Sequence, residues 1–252
     1  MFHLDNKFIF THVPKCGGGS LRRIFTNNKQ FKPKILDEEY PKQRFYGCGP
    51  YHRNKDTNKT IDDIGLEKHG SITDYIKKLQ ELGFNHEDFL KISIIRNPWD
   101  RAVSYYYHIK SSEVRYWHKL RDEEGLSERE KKLRPDYKRI SHQASDQFTF
   151  NEFLNKELYL RNISSHEKMF YKEKYIVDFV VRYENYEKDV FNLMKKLEVK
   201  YYDLKKINYN TTRPLKDDYR SYYNKETKQI ISNFFEEEID LFNYTFENGI
   251  RR

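Results

Sequence analysis

The sequence predicts an α/β protein, with helices on both faces of a central parallel sheet in three α/β/α layers. Three observations carry that expectation. Apolar runs of strand length alternate with stretches of helical period, the pattern of βα units and a parallel sheet. Two of those runs end in polar loops that open helices, and in parallel sheets ligands collect at such carboxyl ends. Aromatic residues make up 16% of the 252 residues, with 21 Tyr and 18 Phe, enough to build a core despite a charged fraction of 34%.

The elements follow in order. Lys7 to Val13 (KFIFTHV) reads as a short buried strand. Pro14 to Gly19 (PKCGGG) must be a tight loop, because three consecutive glycines destabilise an element interior. Ser20, a favoured N-cap, is then expected to open a helix. In Ser71 to Leu82, apolar residues at Ile72, Tyr75, Ile76 and Leu79 give an amphipathic helix, with Gly83 as its stop.

Leu90 to Ile95 (LKISII) is a second strand, and Asn97-Pro98-Trp99-Asp100 is a strong helix start, with the helix continuing through His108. Phe148 to Leu160 is expected to be a short helix. Tyr175 to Arg182 is a third strand, and Glu184 to Leu197 is its return helix. A polar loop over 207–223 precedes a long closing helix from Lys225 to Phe242.

The chain reads as a single domain, 1–252. Two segments look like loops or insertions on the substrate side: the basic, turn-rich stretch 27–60 and the charged stretch 111–147. From Asn27 to Lys59 there are eight Lys or Arg against four Asp or Glu.

A formal net charge of +8 favours an anionic partner. The positive charge is spread among acidic residues and forms no compact nucleic-acid motif, so no nucleic-acid partner is expected. Cys16 and Cys48 make neither a disulfide framework nor a zinc site, and no His, Cys or Asp spacing suggests a metal. No signal peptide or membrane-spanning run is seen, which points to a cytoplasmic protein.

Two constellations carry chemistry. In Pro14-Lys15-Cys16-Gly17-Gly18-Gly19-Ser20, glycines let backbone N–H groups approach an anion, and the helix N-terminus adds partial positive charge. Lys15 supplies a full charge and Ser20 a hydroxyl. Lys15 precedes the glycines, whereas the ATPase motif places its Lys after them. In Ser93-Ile-Ile-Arg96-Asn97-Pro98-Trp99-Asp100-Arg101-Ala-Val-Ser104, Arg96 leaves a strand end and Ser104 lies about two helical turns further on, a pair suited to a second phosphate. Each also has a plain structural reading, as a glycine turn with an incidental Lys and as a helix-start ion pair with a buried Ser.

Together these segments resemble the PAPS-dependent sulfotransferases, where PAPS is 3′-phosphoadenosine-5′-phosphosulfate. VPKCGGGSL looks like their 5′-phosphosulfate loop. SIIRNPWDRAVSYYYH looks like their 3′-phosphate segment, in the form of the family 2 and heparan sulfate 2-O-sulfotransferase type. RYENYEKDV, from Arg182 to Val190, and the stretch from Asn210 to Tyr244 resemble a third segment and the C-terminal cofactor loop with its closing helix.

The resemblance implies a P-loop-like strand–loop–helix that uses PAPS as co-substrate and no metal. It implies that Lys15 contacts the 5′-phosphosulfate and its bridging oxygen. Cys16, Gly17, Gly18, Gly19, Ser20 and Leu21 would wrap that group, and Arg96 and Ser104 would hold the 3′-phosphate. Asn210, Thr211 and Arg213 would cover the nucleotide, with Lys216 a weaker contact. The chain departs from the common loop in having Cys16 and Gly19 where Thr is usual.

The 2-O-sulfotransferases carry a base His in a place similar to His69, and some relatives use Glu. An unperturbed imidazole is neutral near pH 7 and can accept a proton. His52 is the alternative base, and His12 is expected inside the sheet in a structural role. The acceptor implied is a hydroxyl, most readily that of a glycan; the basic residues of the substrate-side stretches favour an anionic one, with a neutral sugar, a lipid or a tyrosine as alternatives. A nucleotide or sugar kinase and a non-catalytic polyanion-binding module are the alternatives.

Overall fold

The structure is a computed structural model that describes residues 1–28, 31, 45–46, 52–53, 60–61, 66, 69–110, 149–200 and 218–247. They fall into two compact units. The first spans 1–54, 59–96 and 164–209, and the second spans 55–58, 97–163 and 210–252.

The first unit is built on a five-stranded sheet. β1 (Phe2–His3), β2 (Phe8–His12), β3 (Phe45–Tyr46), β6 (Leu90–Ile95) and β9 (Phe179–Arg182) lie in the order β3-β1-β2-β6-β9. β2 pairs parallel with β6, Phe8 opposite Leu90, and β6 pairs parallel with β9, Ile95 opposite Arg182. β1 and β3 add an antiparallel margin, so the sheet is mostly rather than wholly parallel. The Asp5-Asn6 turn that folds β1 back on β2 is a sequence signal for a hairpin, and its first arm is only two residues long.

Period-2 alternation along β2 sorts its side chains to two faces. Phe8 and Phe10 pack on Phe25 of α1 (Gly18–Asn27) at ring-centroid distances of 4.8 and 5.7 Å. Ile9 joins Phe2, Phe89 and the buried stripe Ile72, Tyr75, Ile76 and Leu79 of α2 (Ile72–Glu81). Helices therefore cover both faces of β2, as the layered expectation requires. Each fully buried side chain of this size stabilises by about 1.5–3 kcal/mol.

α2 begins and ends as its sequence directs. Ser71 and Asp74 close a reciprocal capping box, and Gly83 adopts φ +80 beyond the end. The third strand is shorter than expected. Lys174–Tyr175 (β8) instead pairs with Phe170–Tyr171 (β7) in a separate hairpin. Asp178 marks the break: its carboxylate accepts from the Lys91 N–H at 2.7 Å, and its own N–H donates to the Lys91 carbonyl at 2.8 Å. The return helix, α7 (Tyr186–Lys196), follows a single 3-10 turn. His52–Arg53 (β4) and Thr60–Ile61 (β5) form a small ladder within the basic stretch, and 111–147 lies outside the described residues.

The second unit starts with α3 (Pro98–Ile109). Asn97 caps it by accepting from the N–H groups of Trp99 and Asp100, with Pro98 at the first helical position. The expected helix at 148–160 is two, α4 (Phe150–Leu154) and α5 (Glu157–Asn162), separated at Asn155-Lys156. The expected closing helix is also two, α8 (Lys225–Phe234) and α9 (Glu236–Phe242), broken at Phe235. At that break the buried Arg101 lies over the Phe235 ring at 4.7 Å and makes paired bonds of 2.6 and 2.8 Å to Glu238. No helix among the described residues is long and apolar enough to cross a membrane.

Candidate active site

The parallel register assembles the site. β2, β6 and β9 end side by side, so the residues that follow them, Pro14 onward, Arg96 and Tyr183, emerge at one edge of the sheet. Lys15 there takes a left-handed conformation, φ 65, which costs a non-glycine residue about 1–2 kcal/mol. Gly17 at φ 84 caps α1 through its backbone, and no side chain caps the helix. The helix therefore starts at Gly18, and Ser20 is its third residue rather than its N-cap. The reason is that the left-handed turn at Gly17 has already set the chain into helical geometry.

Close packing explains two of the glycines. A Cβ on Gly18 would lie 2.1 Å from the His12 ring, and one on Gly17 would lie 3.1 Å from the Tyr183 ring. A Cβ on Gly19 would meet nothing within 4 Å, so the usual Thr has room there. Cys16 and Leu21 are fully buried, so what they can offer a ligand is backbone. The Cys16 thiol donates to the Pro14 carbonyl at 3.5 Å, and the Leu21 N–H points back to Gly17.

Arg96 and Lys15 are brought together. The Arg96 Nη1 donates to the Lys15 carbonyl at 3.1 Å, and the guanidinium lies 4.1 Å over the Tyr183 ring. Burial first, and the Arg96 charge second, push the Lys15 ammonium down to about 8. Two crowded cations, one with a depressed affinity for its proton, are the electrostatic condition that an entering anion relieves. Tyr186 adds a buried hydroxyl with no hydrogen-bond partner among the described residues, its ring edge 3.6 Å from a Cβ on Gly17.

His69 lies beside this loop. Its Nδ1 donates to the His12 carbonyl at 3.3 Å, and the two imidazole rings are 4.5 Å apart. A neutral ring that donates through Nδ1 carries its accepting lone pair on Nε2. The buried Lys168 ammonium donates to the His69 carbonyl at 2.6 Å and so fixes the segment that carries the ring. His12 is the last residue of β2, opposite Ile94 in the sheet, and its half-buried ring packs against Gly18 of the loop.

Thus Lys15, Gly17, Gly18, Gly19, Ser20, Arg96 and His69 all belong to the first unit. Ser104 lies part-exposed on α3 in the second unit. Asn210, Thr211, Arg213, Lys216 and the side chain of His52 lie outside the described residues. Sequence reasoning gave no role to Tyr183 or Lys168. The strand register could have found Tyr183, since it follows the strand paired with the one ending at Arg96. Nothing local marks Lys168, which reaches His69 across 99 positions. Among the described residues no cluster of His, Cys, Asp and Glu could hold a metal ion.

In comparisons with known proteins, residues 1–245 match the model of the sulfotransferase family. No curated protein and no solved structure gives a significant match.

Proposed function

The chain belongs to the sulfotransferase family, and from that premise we propose that it moves a sulfuryl group from PAPS to a carbohydrate hydroxyl, releasing adenosine 3′,5′-bisphosphate (PAP). The observation that carries the proposal is the meeting of Lys15 and Arg96 over a glycine loop at the carboxyl edge of the sheet. Family membership favours transfer over the kinase and polyanion-binding alternatives. Its match across both units supports one catalytic domain.

In the proposed reaction the acceptor oxygen attacks sulfur in line, and the bond from sulfur to the bridging phosphate oxygen breaks. Charge grows on that leaving oxygen, where the Lys15 ammonium and the N–H groups of Gly18 and Gly19 meet it. A donor of this kind contributes about 3–4 kcal/mol. The hydroxyl proton passes to Nε2 of His69. Positioning dominates, as in other transfers through a loose transition state. Arg96 and Ser104 hold the 3′-phosphate in this reading, and Asn210, Thr211 and Arg213 close over the nucleotide. Cys16 and Leu21 act through their backbone.

The test pairs binding with turnover. PAP at about 100 times its dissociation constant stabilises a folded protein by about 2.7 kcal/mol. It should raise the melting temperature by several degrees, and AMP, which lacks the 3′-phosphate, should do so far less. Lys15→Ala should lower sulfate transfer from PAPS by about 10²–10³-fold, and His69→Ala by about 10²–10⁴-fold. Equal shifts with PAP and AMP, or full activity in Lys15→Ala, would overturn the donor assignment. Full activity in His69→Ala would move the base elsewhere.

A further inference from the structure

A second feature of the first unit has no role in donor binding. His69 forms one end of a cleft of about 380 Å³, walled by the N-terminal turn of α2 on one side. The other wall is α6 (His166–Met169) with the β7–β8 hairpin. Through His69 the cleft reaches the loop by a short chain of contacts. The His69 ring lies 4.5 Å from His12, whose own ring packs against Gly18. A molecule seated in the cleft thus has the candidate base at its loop-facing end.

The lining identifies what would fit. The exposed His166 ring stacks on Phe170, centroids 4.5 Å apart and planes 9° from parallel. The outer face of this stacked pair makes a flat platform on which the C–H face of a sugar ring can lie. Around it stand three carboxylates, Asp74, Glu167 and Glu173, and two ammonium groups, Lys168 and Lys172. Lys168 is already committed to the His69 carbonyl at 2.6 Å and lies 3.8 Å from Glu167. Among the described lining residues an acidic acceptor would face more negative than positive charge. A hydroxyl suits it better, since it donates to carboxylates and accepts from ammonium groups.

We propose that this cleft is the acceptor subsite and that its substrate is an uncharged, polyhydroxylated sugar, stacked on the outer face of the Phe170–His166 pair with one hydroxyl directed at His69. The proposal rests on the sulfuryl-transfer reading and adds the acceptor's place and charge class. Phe170 and His166 are binding residues for the acceptor and have no part in holding the donor.

The experiment uses the full chain with PAPS and two acceptor panels: neutral methyl glycosides and uronate-containing disaccharides. Transfer to the neutral panel is expected to exceed transfer to the acidic one by at least about tenfold, because juxtaposed like charges suppress the wrong partner. Phe170→Ala should raise the acceptor KM about tenfold while leaving the Kd for PAP unchanged, and Phe170→Tyr should restore it. His166→Ala, an exposed change that leaves the fold intact, should move the same KM in the same direction. Preference for the acidic panel overturns the proposal, as does transfer with an unaltered acceptor KM in both His166→Ala and Phe170→Ala. Failure to bind PAP at all overturns the donor reading and this one with it. Normal PAP binding with unaffected cleft variants overturns this one alone.

Discussion

Lys15 unites the two opposing demands on the loop. Its left-handed backbone and its burial beside Arg96 both cost the fold stability. Burial and the Arg96 charge bring its proton affinity down from the ordinary lysine value of 10.5 to about 8. The folded group holds its proton less tightly than the unfolded one. The folded protein therefore gains stability as pH rises through that window, while below pH 8 the charged, crowded ammonium destabilises it in full. Anion binding reverses the preference, because a bound phosphate raises the affinity of Lys15 for its proton. Calorimetry should accordingly show PAP affinity level below pH 8 and falling by up to about tenfold per unit above it, with proton uptake on binding. Affinity that stays flat from pH 7 to 9.5 would place Lys15 away from the ligand. The residue types were readable in the sequence, since glycines, a lysine and a strand-end arginine announce an anion site. The contact between Arg96 and the Lys15 carbonyl was not, because it depends on strand pairing across 81 positions.

At the level of elements, local signals located starts better than lengths. Asn97-Pro98 and Gly83 act through bonds within a few residues, and each marks the helix end it predicts, whereas Ser20 lies inside the helix it is expected to cap. Interior breaks come from tertiary partners that periodicity cannot see. The third strand gives way at Asp178, which is bonded to Lys91, and the closing helix breaks at Phe235, beneath Arg101. The Arg101–Glu238 pair is fully buried on one side and 7% exposed on the other, so its stability effect is asymmetric. Removing one partner strands a charge in the core. Glu238→Gln should destabilise by about 3–5 kcal/mol, measured by urea denaturation of the whole chain. The double change Arg101→Met with Glu238→Leu should recover most of that loss. Equal losses in the single and double variants would show that packing, not charge pairing, holds this junction.

For the molecule as a whole, the layering and the parallel pairing of the core strands follow from the alternation of apolar runs and helical periods, while the strand order is set by tertiary packing. The antiparallel margin was missed because two-residue strands carry no period. The parallel core has a temporal consequence. Its edge gathers Lys15, Arg96 and Tyr183 from three distant stretches, joined only when β9 seats against β6. Contacts this far apart along the chain require large loops to close before they stabilise anything, so such sheets fold slowly. A nascent chain that has not yet emerged past Arg182 has a glycine loop but no platform beneath Arg96. Competence to bind nucleotide should therefore appear late and all at once. In refolding from urea, the recovery of PAP binding should track the slowest tyrosine-fluorescence phase. Binding that returned ahead of that phase would mean the loop organises itself before the sheet is finished.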